Sequence, residues 1–473
     1  MTGETLFCEP LDPDERERLR KRLLAYRAAH LSSLFGALQE DATSERLGSC
    51  APSVQRFMAE LSVLSATDPG AFERLIHHWA PTFLLRRLLY GVGLSPTQQQ
   101  MVASNLEGAL LFDRLARPSP GREAARYATV TDDRGRVCSL THDFWVRLEP
   151  GHNARTSVVW YVESDRVTVQ GPATNGTRPA VDLPWTASDP PVDVVPFPLA
   201  AGWGLPIIDD SDVLGVGSVS PADLELGQRD EPSWRPRPLS ETLEGAHRLL
   251  ADLWPEVIDW THVLVPAFVD MGTPSPEVHH SSTHGAGSPV FLTRVSDPLL
   301  HAEDIVHELQ HERFHLLLDP TRFASSQDSA ASYVSPYRTD PRPLRGLHVA
   351  LHAFTAVNEF RLRLCAQGAD DRRLLQQMLR SHRMNLFAFQ TISDYEQFDA
   401  EGRRYWVDVA AALAHQHELI EPRAGPEMSR HVDDLIEAHA REVSTSADGL
   451  RNVSARYLAW ADIAAHAAET GSS

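Results

Sequence analysis

The sequence predicts an α+β protein, mainly helical, in which a metal-binding helix with short strands beside it is accompanied by a small antiparallel β region. Three observations predict this. Apolar residues recur at spacings of three and four through most of the chain, as in Leu19, Leu23 and Leu24 or Leu84, Leu85, Leu88 and Leu89. Between Tyr127 and Leu183 the texture changes to short runs rich in β-branched and aromatic residues. Finally, His307-Glu308-Leu309-Gln310-His311-Glu312-Arg313-Phe314-His315 holds two overlapping copies of His-Glu-x-x-His, and on a helix residues four apart sit one above the other.

Each element follows in order. Residues 1–120 read as a helical N-terminal region, since charged and apolar positions alternate with helical period from Asp12 to about Leu115. Residues 121–190 form the small antiparallel β region, with strands expected at 128–131, 144–148, 158–162 and 166–169 and turns at Asp132 to Gly135 and Glu163 to Asp165. Residues 191–238 are rich in Pro, Gly and Asp and lack helical periodicity, which predicts a linker or wrapping loop. Residues 239–473 form the largest unit, mostly helical. There Ser240 opens a helix through Leu250 and Trp254, and a loop of small residues from Ser281 leads into a strand at Val290-Phe291-Leu292. Asp297-Pro298 and Asp319-Pro320 then frame the metal helix, whose apolar face is Ile305, Val306, Leu309 and Phe314.

Composition narrows the function. The 473 residues are 42% hydrophobic, enough for a large core, and the net charge of −20 is spread along the chain with no basic stripe, which argues against nucleic acid as partner. Cys8, Cys50, Cys138 and Cys365 are scattered, so neither a disulfide framework nor a thiolate metal site is expected, and a reducing cytoplasm fits. No apolar run has the length of a membrane span, so no membrane association is expected.

The doubled motif cannot serve one ion throughout. His307 and His315 lie about 12 Å apart along a helix axis, whereas a metal to nitrogen bond is about 2 Å. The pair His307 and His311 is expected to bind, with His315 structural, although a shift of one turn stays open. A third ligand is expected from the helix through His348, His352 and Glu359, which share a face; His352 is central and the first choice. A second constellation follows the metal helix. Arg338 and Arg342, in the proline-stiffened run from Tyr333 to His348, can offer a preorganised guanidinium to a carboxylate, while Asp340 is an internal partner for either.

The residues 307–311 with Leu317-Leu318-Asp319, the Pro-Tyr-Arg-x-Asp-Pro-Arg-Pro-Leu-x-Gly run at 336–346, the Ser-Ser-Thr loop before Val290-Phe291-Leu292, and Trp254-Pro255-Glu256 with Val265-Pro266 resemble the HExxH-motif peptide-modification family of ribosomally made peptide natural products. The resemblance covers about residues 240–360. It implies a zincin-like metal helix turned to oxygenase chemistry: an iron(II)-, 2-oxoglutarate- and O2-dependent peptide β-hydroxylase acting on a precursor peptide. Carried over by position, His307 and His311 become iron ligands, and Arg338 and Arg342 become candidates for gripping the co-substrate. Val290-Phe291-Leu292-Thr293 is expected to offer an edge for pairing with an extended peptide. The motif by itself also fits a zinc metallopeptidase with Glu308 as general base, and a metal-stabilised binding module without turnover is a third class.

Overall fold

The structure, a computed structural model, describes residues 7–38, 47–90, 94–116, 125–130, 136–141, 144–147, 157–162, 167–170, 180–183, 193–209, 214, 237–272, 281–283, 287–317, 332–369 and 371–446. The turns expected at Asp132 to Gly135 and Glu163 to Asp165, the middle of the small-residue loop at His284 to Ala286, and the helix stop at Asp319-Pro320 lie outside them. The fold is mainly helical with small sheets, and no described helix is long and apolar enough to cross a membrane.

The N-terminal part carries α1 (Pro13–Leu38), α2 (Ala51–Thr67), α3 (Pro69–His77), α4 (Trp79–Tyr90) and α5 (Pro96–Ala116). Their starts are set locally. Asp12 and Glu15 cap α1 reciprocally, with Glu15 N donating to Asp12 Oδ1 at 2.7 Å and Asp12 N to Glu15 Oε2 at 3.3 Å. The β region is antiparallel throughout: β1 (Ala125–Val130), β4 (Ser157–Val162), β5 (Val167–Gln170) and β6 (Ala180–Leu183) form one sheet in that order. A second sheet is ordered β2 (Arg136–Ser139), β3 (Phe144–Arg147), β7 (Asp193–Pro196). One continuous core joins these helices and strands, including Phe57, Leu84, Leu106, Phe112, Val146 and Trp160, and it reaches Val269 and Phe291 of the sheet beside the metal helix.

That sheet corrects two expectations. Its order is β10 (Ser281–Ser282), β11 (Val290–Leu292), β9 (Phe268–Asp270), β8 (Ile207–Ile208), with β10 antiparallel and the others parallel. The strand at 290–292 is therefore interior, and among the described residues the edge beside it is β10. The segment 191–238 is also more than a linker, because it supplies β7 and β8 and buries Trp203, whose Nε1 donates to Leu243 O at 2.9 Å. Strands of two to four residues leave too little alternation for a sequence pattern to register.

The remaining helices are α6 (Leu239–Leu253), α7 (Pro255–Leu264), α8 (Pro298–Leu317), α9 (Leu344–Ala366), α10 (Arg372–Tyr395) and α11 (Ala400–Ser446). The last is kinked at Gly425, where φ is 69° and prolines 422 and 426 flank it. Helices α9, α10 and α11 enclose a core of Phe314, Leu347, Leu351, Met378, Phe389, Trp406 and Leu413, and α8 is packed between this bundle and α6.

Candidate metal centre

Helix α8 starts where the sequence placed it, with Asp297 Oδ1 accepting from Leu299 N at 2.9 Å. Its inner face buries Ile305, Val306 and Leu309, while Phe314, on the side of the histidines, is buried in the core of the C-terminal helices. Two polar clasps fix its rotation. Glu303 forms a two-pronged pair with Arg361 of α9, both contacts at 2.8 Å. Arg313, buried, donates to Phe7 O at 2.9 Å and to Gln310 Oε1 at 2.7 Å, and lies 4.4 Å over the Trp260 ring.

The opposite face presents His307 and His311, both half-buried, with Nε2 atoms 3.0 Å apart and rings edge to face at 4.5 Å. Phe354 of α9 lies against the His307 ring at 4.8 Å. Burial keeps both imidazoles neutral, lowering His307 to about 4 and His311 well below the ordinary histidine range. Neutral nitrogens at this separation suit a metal. Two ligands at right angles on one ion, each bonded at about 2.1 Å, stand about 3.0 Å apart.

Glu308 completes the group: one ligand atom from each of His307, Glu308 and His311 lies within 4.8 Å of the others. Its Oε1 accepts from Ser281 Oγ of β10 at 2.8 Å, and its Oε2 is buried without a partner. Burial first, then neighbouring acids, pushes its carboxyl up to about 8.

The second copy of the motif is used differently. Glu312 accepts from the Thr283 hydroxyl, the Gly287 N–H and the Ser288 hydroxyl, so both its oxygens are consumed in holding the loop before β11. His315 Nδ1 lies 3.3 Å from Arg345 NH2. The structure thus groups His307 with His311 and engages Glu312 and His315 elsewhere.

The third-ligand candidates separate as well. His348 pairs with Glu396 at 3.2 Å inside the core, and Glu359 pairs with Arg363 at 3.0 Å, the Arg363 guanidinium lying over Trp254 at 4.5 Å. His352 is buried, with Nδ1 3.2 Å from the Tyr405 hydroxyl and Nε2 without a partner, and it is close enough to depress His311. Its nitrogen is outside the group defined by 4.8 Å separations. In comparisons with known protein families, curated proteins and solved structures, nothing matches this chain. The family resemblance therefore stands on the residues that carry it.

Arg338 and Arg342 both close on Asp340, with Nε and NH2 respectively at 2.9 Å, on a turn where Arg338 and Asp340 are exposed. That is the internal pairing the run itself offers. Besides Arg361, two other cations act on the metal helix: Arg345, at the start of α9, and Arg86 of α4, which together with burial lower His315 to about 3. Sequence reasoning missed them. Arg345 lies inside the quoted run, but Arg86 and its neighbour Tyr26 are more than two hundred residues upstream, and only the docking of α1 and α4 brings them in. A further group, His382, His417 and Glu421 at the seam of α10 and α11, also has ligand atoms within 4.8 Å of one another. Arg383 already neutralises Glu421 there, at 2.8 Å.

Proposed function

We propose that this chain is an iron(II)- and 2-oxoglutarate-dependent hydroxylase acting at a β-carbon of a residue in a ribosomally made precursor peptide. The observation that carries this reading is the sign of the charge beside the metal pair. Past His315 stand Arg345 and Arg86, and among the described residues no carboxylate pairs with Arg345. An oxygenase driven by an oxo acid must hold a dianion beside its metal, and a cationic flank suits that need.

In this reading His307 and His311 hold the ion through Nε2, and Glu308 or His352 is nearest to completing the set. Iron(II) would bring the oxo acid and dioxygen together; dioxygen supplies four oxidising equivalents, two taken up as 2-oxoglutarate becomes succinate and CO2 and two as a C–H bond becomes C–OH. The protein positions. Ser281 holds Glu308 against the pair, and Phe354, stacked on Tyr337 at 4.8 Å, walls the site. An extended peptide would pair along β10, the edge strand nearest to Glu308. The test is mass spectrometry of the precursor peptide after co-expression with this chain. A gain of one oxygen, about 16 Da on the atomic-mass scale of an added hydroxyl, at a β-carbon is expected; a precursor that is cleaved but unoxidised contradicts the proposal.

Zinc peptidase chemistry is the second reading, and Glu308 favours it. A carboxyl within 4.8 Å of both imidazoles, with one oxygen unpartnered, is placed as a general base for a metal-bound water. Peptide cleavage that needs no 2-oxoglutarate and disappears in Glu308→Gln would select it.

A further inference from the structure

We infer that His382 of α10, with His417 and Glu421 of α11, forms a second divalent-cation site of the kind zinc takes, clamping these two helices together just before the kink of α11. The inference stands apart from the hydroxylase reading and from the pair His307 and His311.

Helical spacing builds the site. His417 and Glu421 are four apart on α11, so they share a face one turn from each other, and α10 packs against α11 and brings His382 to meet them. A ligand atom from each lies within 4.8 Å of the others. His382 Nε2 and His417 Nδ1 are 3.3 Å apart. Two imidazole nitrogens bonded at about 2.1 Å to one ion at the tetrahedral angle stand about 3.4 Å apart. The rings are therefore already spaced for tetrahedral ligation, with Glu421 as third donor and water as the fourth. Helix bundles build metal sites in this way, from side chains on facing helices. His382 is buried, whereas His417 and Glu421 are half-buried, so the group is open on its α11 side. Burial leaves both rings neutral, His382 lowered to about 3 and His417 lowered with the help of Arg383, so their lone pairs are available to an ion.

The charge around the group also favours a cation. Arg383 NH2 stands 2.8 Å from Glu421 Oε1 but out of line for a hydrogen bond, and that oxygen is buried with no hydrogen-bond partner. The same guanidinium is shared with Asp433, whose Oδ1 is 3.2 Å from its Nε. Of the charged groups that act on the two rings and on Glu421, Arg383 is the cation, and Glu418 and Asp433 are the anions. With Glu421 itself, three carboxylates face one guanidinium. Burial outweighs Arg383 at Glu421 and holds its carboxyl above the ordinary range, and Asp433 adds to the rise. A divalent ion between the rings offsets this surplus, and Asp433 retains Arg383 when Glu421 turns to the ion. Three protein ligands with a guanidinium close by make a weaker site than a closed set of four, so it is filled by added ion rather than carried through purification. Pro422 follows Glu421 and Gly425 breaks the helix, which puts the clamp on the last turn before the kink.

Titration of the full chain, stripped of metal with a chelator, tests the clamp. Cobalt(II) is the probe, because its visible bands report tetrahedral ligation, and zinc(II) is then used to displace it. His307→Ala/His311→Ala silences the first pair. In that background one equivalent of cobalt should bind with a Kd tighter than about 100 μM and show the intense bands of a four-coordinate ion, and zinc should displace it and raise the thermal midpoint. Adding His417→Ala or Glu421→Gln, both at half-buried positions, should weaken binding at least about 10-fold, the smallest cost usual even for a partner outside the ligand set, and abolish the rise in midpoint. Arg383→Gln, which releases Glu421 and removes a positive charge, should tighten binding. A folded His307→Ala/His311→Ala chain that binds neither cobalt nor zinc overturns the proposal, as does binding that His417→Ala and Glu421→Gln leave unchanged, since the ion then sits elsewhere.

Discussion

His307 and His311 are ready to take a cation because burial has already removed their protons, so binding need not displace them. His307→Ala and His311→Ala should each lose the metal from the purified chain, while His315→Ala should keep it, since its ring is engaged with Arg345; metal analysis by mass spectrometry reads the difference. Metal loss in His315→Ala together with normal loading in His307→Ala would place the ion one turn further on. The two histidines were legible because spacing of four on a helix is a sequence property. Glu308 was named with them as the glutamate of the first copy, but what Glu312 does was not legible, because each glutamate follows a histidine. Only the loop carrying Thr283, Gly287 and Ser288 distinguishes them, by satisfying Glu312 and leaving Glu308 with an unpartnered oxygen. The arginines show the same limit: stiffness was readable at 338 and 342, but Asp340 claims both.

At the level of elements, the metal helix depends on how closely α6 approaches its start. A Cβ added at Gly245 would stand 2.6 Å from Cβ and Cγ of Pro298, which belongs to the first turn of α8. Gly245→Ala should therefore push α8 and cost about 1–3 kcal/mol, as overpacking commonly does, measurable as a lowered urea midpoint; an unchanged midpoint would mean that the two helices separate freely. The seam of α10 and α11 gives a pH dependence. Burial lowers His382 from 6.5 to about 3, with His417 3.3 Å away, Arg383 beside it and Glu421 paired to that arginine. The unfolded chain takes up this proton as pH falls through 6.5 while the folded chain resists until about 3, so stability should fade across that window. His382→Gln should remove its share of the midpoint's dependence between neutral and acid pH and leave that of the other buried histidines. Capped, amphipathic helices were predictable from their ends. The sheet order was not, since β8 and β9 pair across sixty residues and each offers only two or three residues of pattern. With β11 interior, a proline at Phe291 would break the core, and the variant that probes peptide pairing is Ser282→Pro on β10. It should depress peptide oxidation and leave metal loading intact.

At the scale of the whole molecule, the N-terminal segment is fastened to the back of the metal helix. The backbone oxygens of Phe7, Cys8 and Glu9 accept from Arg313 NH2 at 2.9 Å, Trp254 Nε1 at 3.2 Å and Trp260 Nε1 at 2.9 Å. Deleting residues 1–11 strips partners from three donors and should destabilise by about 3 kcal/mol or more, given roughly 1 kcal/mol for each bond and more for the buried arginine. A thermal melt unchanged by that deletion would show that water replaces these contacts without loss. Helical class was readable in the N-terminal part, but its attachment to the site was not, because contacts across three hundred residues leave no local trace. The sequence likewise gives no sign that Arg345 and Arg86, distant along the chain, both act on His315.

The central claim is that the metal pair and its cationic flank serve an oxo-acid-dependent oxygenase. The most direct measurement is consumption of 2-oxoglutarate by anaerobically iron-loaded chain on exposure to dioxygen, without peptide, alongside His307→Ala as control. Slow conversion to succinate and CO2, absent in the control and accelerated by the precursor peptide, is the predicted result. No conversion by a fully iron-loaded, folded parent, with or without the peptide, would contradict it.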